Sequence, residues 1–312
     1  MSISEHPTKT GIFALLIWSF SALFASQLTT IPTFEMLTIV FIVSSLTIFL
    51  KVWFYGEWFK FKQPWFLYLI GIIGIYGNDL FYFEAFKYAP AAHVDLINFL
   101  WPIFVIMFAT FLPRESVSWQ QVLGCFISFF GIYLLLGKGK LTDISYHYLK
   151  GYGYALADAL VWAFYILMSH RYRGTEKYSE SIGLICLVCS VLSLCGHLNS
   201  EIFVVPSFVD LIIMLVLGVF SQGLAYVLWE QSIKNGDYKL LSNLAYITPI
   251  LSVLVLILFK KAHFSYSLFF ACVLVTLGAF IANNLPKKRL FILSLKTWRK
   301  NVSASMPLLS KK

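Results

Sequence analysis

Five acidic residues sit inside apolar stretches of this chain: Asp79, Glu84, Asp95, Asp158 and Glu230. An ionisable group in a bilayer costs roughly 2.5–3.5 kcal/mol on insertion scales, so such groups face a cavity or a partner. An unpaired acid in a low-dielectric site takes up a proton or finds a cation. Asp158 lies in the run GYGYALADALVWAFYILM, with Trp162 four residues on and Tyr165 seven on. Helical spacing puts all three on one stripe. An acid beside two aromatic rings suits an ammonium group with a ring attached. The alternative is a carboxyl bonded to a polar side chain of a neighbouring helix. Asp79 follows Asn78 and precedes Tyr82 and Phe83 by one turn. Neither Asp79 nor Asp158 has Lys or Arg within a helical turn, so both are expected to face one central cavity at similar depth. Glu84 and Glu230 differ. Lys87 and Lys234 stand one turn after them, which gives local ion pairs or, in the functional reading, parts of a gate.

Asp95, Asn98 and Pro102 share a face of one segment. Pro102 and Pro249 each remove a backbone donor and free a carbonyl near mid-segment. Such irregular backbone is tolerated in a membrane only where it is buried or lines water. Both prolines are therefore candidate pivots, against the plainer reading of a packing kink. Trp101 and Thr248 precede them. Gln222, Tyr226 and Trp229 fall on one helical face, and Asn243 with Tyr246 on another. Together with Trp18 and Trp162 they would make an aromatic cavity with a few polar groups, although any one ring is as easily core or interfacial belt.

Other chemistries find no support. Phosphate loops, nucleophile elbows and HExxH strings are absent, and no His, Cys and carboxylate set has metal-ligand spacing. His93 reads as a helix-end residue. Cys186 and Cys189 form a C-x-x-C inside an apolar stretch, where a redox motif would need a soluble, electropositive setting. No catalytic residue, cofactor or resident metal is expected, and an enzyme is not. A membrane enzyme or a non-transporting scaffold is the rival class. It would need polar residues clustered at one membrane face, whereas these acids are spread through the segments.

The elements that must position these residues follow from composition. Of 312 residues, 59% are hydrophobic and 12% charged, with 30 Phe, 17 Tyr and 9 Trp. A soluble domain is near one quarter charged, so an all-α polytopic membrane protein is expected. A spanning helix needs about 20 apolar residues, and ten such segments can be drawn: Gly11–Thr30, Glu35–Tyr55, Trp65–Lys87, Ala91–Leu112, Ser118–Gly137, Gly151–Arg171, Ser181–Leu198, Val209–Ile233, Tyr238–Phe259 and Ser265–Leu285. The first is expected to be retained rather than cleaved as a signal. With the N-terminus inside, eighteen Lys and Arg fall in cytoplasmic loops and tail against six outside. That bias sets both termini in the cytoplasm and accounts for the net charge of +9 without any nucleic-acid partner.

The stretch from Leu80 to Gly131 recurs 147 positions later without a gap. Lys87 falls on Lys234, Pro102 on Pro249, Ser118 on Ser265, Cys125 on Cys272 and Gly131 on Gly278. Trp18-Ser-Phe-Ser likewise matches Trp162-Ala-Phe-Tyr. Two units of five helices each must insert in opposite senses, which predicts an inverted repeat. Residues 1–140 form the first unit, 141–286 the second, and 287–312 a basic cytoplasmic tail.

The ten-helix, two-repeat layout resembles the EamA-type branch of the drug/metabolite transporter superfamily. Three strings, INFLWP at Ile97–Pro102, ALVWAFY at Ala159–Tyr165, and AYVLWEQ from Ala225 followed by YITPILS from Tyr246, are similar to the YddG-type aromatic amino acid exporters of bacterial inner membranes. The resemblance implies a secondary transporter working by alternating access. It implies export of aromatic or other amphipathic amino acids and related metabolites. The alternative substrate class within the superfamily is a nucleoside-like metabolite such as S-adenosylmethionine, taken up or exchanged. Expected partners are a small-molecule substrate, the lipid bilayer and a proton as candidate coupling ion, in a monomer or homodimer. The candidate substrate residues are Asp79, Tyr82, Asn98, Trp101, Asp158, Trp162, Tyr165, Tyr226, Trp229 and Tyr246. The candidate gating residues are Glu84, Pro102, Glu230 and Pro249.

Overall fold

A computed structural model describes residues 7–54, 64–109, 118–137, 146–171, 178–235 and 244–284. Every regular element among them is helical. Helices α1 (Pro7–Ser19) and α2 (Ser21–Ala25) make the first span, followed by α3 (Thr33–Phe54) and α4 (Trp65–Tyr88). Next come α5 (Ala91–Asn98), α6 (Trp101–Ala109), α7 (Trp119–Leu136), α8 (Leu149–Arg171) and α9 (Tyr178–Ser200). A single long span joins α10 (Phe208–Val216), a π-helical stretch (Leu217–Ala225) and α11 (Tyr226–Asn235). The described chain ends with α12 (Thr248–Leu258) and α13 (Tyr266–Asn284). Among the described residues eight spans are long and apolar enough to cross a membrane, and α12 and α13 are shorter apolar helices. The outward surface carries Trp53, Phe54, Trp65, Phe126 and Leu258 among many exposed apolar side chains. That surface suits lipid rather than water, and the protein is a multi-pass membrane protein.

Local chemistry sets the helix ends. Before α5, Pro90 takes an extended conformation and forces Ala89 extended as well, which stops α4 after Tyr88. Ser118 opens α7 with a capping box, its hydroxyl accepting from Gln121 N while its own N–H donates to Gln121 Oε1 at 2.8 Å. Ser265 caps α13 through its hydroxyl alone, accepting from Leu268 N at 3.2 Å. These two caps are 147 residues apart, the spacing found in the sequence.

The segments holding Pro102 and Pro249 depart from the expected continuous helices. Each is broken, and each proline sits in the first turn of a new helix rather than at a mid-helix kink. The cause is local. Proline cannot donate to the carbonyl four residues back, so the chain tightens just before it. Leu100 N bonds Ile97 O, and Ile103 and Phe104 N both bond Leu100 O. In the second break Ile247 N bonds Leu244 O, and Ile250 and Leu251 N both bond Ile247 O. The two breaks match bond for bond at the 147-residue offset.

Packing is by long helix pairs. α3 runs along α9, with Ser45 Oγ donating to Gly183 O and Ser190 Oγ to Thr38 O. α4 runs along α8, where Gly74 leaves room for Tyr165 and Gly77 for Val161. α1 runs along the π stretch and α11, with Thr10 and Ser232 hydroxyls 2.8 Å apart. α7 runs along α13 at the tightest crossing. A Cβ added at Gly124 would lie 2.3 Å from Gly278 O, and one at Gly131 would lie 2.8 Å from Leu274 Cβ. In each pair residue numbers rise along one helix as they fall along the other, so the partners are antiparallel.

Candidate substrate cavity

The two breaks face a cavity of about 140 Å³. α4 contributes Asn78, Asp79 and Tyr82. The first break contributes Asp95, Asn98, Phe99 and Trp101, and the second Ala245 and Thr248. α1 and α2 supply Leu15, Trp18 and Ser21, and α8 supplies Trp162 and Ile166. Ser221, Gln222 and Trp229 come from the π stretch and α11. The freed carbonyls opposite Pro102 and Pro249 belong to Asn98 and Ala245, both lining residues.

Four tryptophans, Trp18, Trp101, Trp162 and Trp229, line this space, and neighbouring groups hold three of them. The Trp18 indole N–H donates to Ser221 O at 3.2 Å. The Trp18 ring meets Trp229 edge-on at 5.6 Å and Tyr226 at 5.7 Å. Tyr226 meets Trp162 in turn at 5.8 Å. Tyr226 therefore wedges the two tryptophans that correspond in the repeat.

The polar wall has two layers. In the first, Asp79 and Asp95 are each 3% exposed, and Oδ2 of each lacks a hydrogen-bond partner. Gln222 is the polar neighbour of Asp79, and its Oε1 lacks a partner too, as does Thr248 Oγ1. Behind them lies Asp158, fully buried and bonded by Asn78 Nδ2 and Asn98 Nδ2.

Of the substrate residues expected from sequence, Asp79, Tyr82, Asn98, Trp101, Trp162 and Trp229 line the cavity. The expectation for Asp158 needs correction. It does not line the space, because two asparagine amides claim its carboxylate and hold it one layer back. Tyr165 also stands back, packed against Gly74 and Trp162, and Tyr226 is the wedge just described. Tyr246 lies in the second break without lining the cavity. Asp79 and Tyr226 correspond at the 147-residue offset, yet only Asp79 lines the space. The π stretch just before Tyr226 explains this, since its wider turn rotates the following helix relative to α4.

Among the gating candidates, Glu84 bonds Lys87 Nζ at 3.1 Å and also takes the Thr33 hydroxyl, tying α4 to the start of α3. Pro102 and Pro249 are buried at the helix starts. The side chain of Glu230 and residue Asn243 lie outside the described residues. His93 is a helix-end residue bonded to Tyr152 Oη at 2.9 Å. Among the described residues no group of His, Cys, Asp and Glu could hold a metal ion.

Trp18, Asp95, Gln222 and Thr248 were singled out in the sequence without being counted as substrate residues, Asn78 was noted only beside Asp79, and Ser21 and Ser221 were not weighed as site residues. Asp95 was legible as one turn before Asn98 on the same face. The two serines carried no signal, since small hydroxyls are common packing residues in spanning helices.

The EamA-like transporter family matches this chain twice, over residues 9–137 and 149–284. The chain belongs to that family. It is 31% identical to the aromatic amino acid exporter YddG of Ancylobacter novellus over 90% of this chain and 98% of that one. It is 25% identical to the Escherichia coli exporter of the same name, over 61% and 66%. An S-adenosylmethionine uptake transporter of Rickettsia prowazekii is 22% identical over 61% and 62%. A solved crystal structure, 32% identical, superposes with a TM-score of 0.70 over 89% of this chain and 96% of its own. As a member of a transporter family this protein is not an enzyme. Rings flank the space, carboxylates stand inside it, and helix breaks sit on two sides.

Proposed function

We propose that this protein exports aromatic or other amphipathic amino acids and related metabolites across a bacterial inner membrane. The observation that carries this is the cavity itself, where four tryptophans and two carboxylates, each with one oxygen lacking a partner, meet at paired helix breaks. The exporter names of relatives that align over most of this chain agree with it. About 140 Å³ is near the ~150 Å³ that holds a benzene ring, which favours one aromatic ring over a nucleoside. Asp79, Tyr82, Asn98, Trp101, Trp162 and Trp229 contact substrate in this reading, with Asp158, Tyr165, Tyr226 and Tyr246 supporting them from behind.

Transport proceeds by alternating access between two inverted five-helix units, residues 1–140 and 141–286, with ten spans and both termini cytoplasmic. Three observations support the inversion. The α7 and α13 helices are antiparallel, their caps recur at 147 residues, and Ser128 Oγ donates to Val275 O, its own repeat equivalent. Pro102 and Pro249 serve as pivots. Glu84 and Glu230 hold the rims, and a proton is the candidate coupling ion.

Counterflow in proteoliposomes tests the substrate class. Internal unlabelled phenylalanine is expected to drive uptake of labelled phenylalanine. Counterflow with nucleosides or S-adenosylmethionine, and none with aromatic amino acids, would replace this reading with the uptake reading. Single cysteines at Lys60, Lys177 and Lys288 should label only from the cytoplasmic side and one at Lys140 only from outside. Labelling of Lys60 from the periplasm would remove the inverted topology.

A further inference from the structure

The polar groups of the cavity are unevenly matched. Asp79 Oδ2, Asp95 Oδ2 and Gln222 Oε1 are all acceptors without partners, on residues no more than 6% exposed. The side-chain amide donors of Asn78 and Asn98 are already spent on Asp158. Pro102 and Pro249 delete one backbone donor at each break. The next two N–H groups of each new helix turn back to Leu100 O or Ile247 O. The starts of α6 and α12 therefore lack most of the first-turn donors that usually make a helix N-terminus an anion site. Among the described lining residues none is Lys, Arg or His. The Trp18 indole is engaged with Ser221. The Thr248 hydroxyl and the remaining indoles are neutral donors.

The described lining, which also includes the Tyr82 hydroxyl and the Gln222 amide, thus offers neutral donors only, with two acids and no positive charge. A primary ammonium supplies three N–H donors and one positive charge. A carboxylate supplies acceptors only, and here it would meet two buried acids and no cation among the described lining residues, so its charge would be poorly compensated. A zwitterionic amino acid thus carries one group the cavity wants and one it has little means to receive. Resting on the reading that this cavity is the substrate site, we propose that its preferred ligand is a monocyclic arylalkyl amine. Such a ligand has one aromatic ring, one protonated primary amine and no carboxylate, and it is taken ahead of the parent amino acid. The tryptophans hold the ring, and Asp79 with Asp95 hold the ammonium.

A matched set separates the charges while keeping the ring: 2-phenylethylamine, phenylalanine and 3-phenylpropionate. Binding is the readout, because a neutral amine crosses bilayers unaided. The purified full chain in detergent reports it by calorimetry and by fluorescence of the lining tryptophans. The amine is expected to bind at least tenfold more tightly than phenylalanine, with no binding of the propionate. Asp79→Asn and Asp95→Asn are each expected to remove at least tenfold of the amine affinity while the melting temperature holds. Phenylalanine binding as tightly as the amine would overturn this inference and leave the amino acid reading standing. Binding of none of the three would overturn both. An amine preference that survives both substitutions would overturn the assignment to these carboxylates.

Discussion

Asp79 and Asp158 look alike in sequence and differ in the fold. Each sits mid-helix, each has aromatic residues a turn away, and neither has a basic neighbour. Asp158 is closed off by Asn78 and Asn98, while Asp79 keeps a buried oxygen without a partner. A carboxylate wrapped by amide donors is part of the frame, and it fixes the two asparagines that reach the cavity. A carboxylate left with an open acceptor is waiting for something brought from outside. Burial alone does not distinguish them. What distinguishes them is which donors the neighbouring helices deliver.

The comparison breaks most sharply by stability. Asp158→Leu strands two buried amide donors, each costing about 1–3 kcal/mol, so a loss of about 2–6 kcal/mol is expected in thermal unfolding. Asp79→Leu strands at most the single amide of Gln222 and should lower the melting temperature less than Asp158→Leu while abolishing transport. Equal destabilisation by the two would show that they play the same role. Next come the prolines. Pro102→Ala and Pro249→Ala restore an N–H aimed at the carbonyl of Asn98 or Ala245. A gain of about 1 kcal/mol, one typical hydrogen bond, is expected together with slower exchange. Unchanged exchange in both variants would reduce the breaks to packing. The smallest effect belongs to Glu84, whose pair with Lys87 is partly exposed. Glu84→Gln should change stability by under ~1 kcal/mol and shift the transport rate modestly, which flux assays at saturating substrate would read.

Much of this was legible in the chain. Apolar runs marked the spans, the 147-residue spacing located the paired prolines and caps, and intramembrane acids pointed to the cavity. Periodicity could not reveal the π stretch at Leu217–Ala225, because an added residue per turn follows from packing rather than from any local motif. That stretch brings Gln222 into the lining while Tyr226 falls behind it. Nor could the sequence say which acid the asparagines would claim, since Asn78 stands beside Asp79 in the chain yet bonds Asp158 across the α4–α8 contact. The broken helices were anticipated only as kinks. The tightening at Leu100 and Ile247 depends on backbone bonds rather than side-chain types.

The α7–α13 crossing sets the kinematics of the molecule. Gly124 and Gly278 bring two backbones together with no clearance, so neither helix can slide along or approach its partner without collision. A joint that forbids translation still allows swivelling. In the proposed two-unit reading, relative movement of the units would become rotation about this point, with displacement growing with distance from it. In the proposed transport cycle the crossing would act as a fulcrum, with the helix breaks at Pro102 and Pro249 as secondary joints away from it, where a few degrees of swing would become the opening of a path.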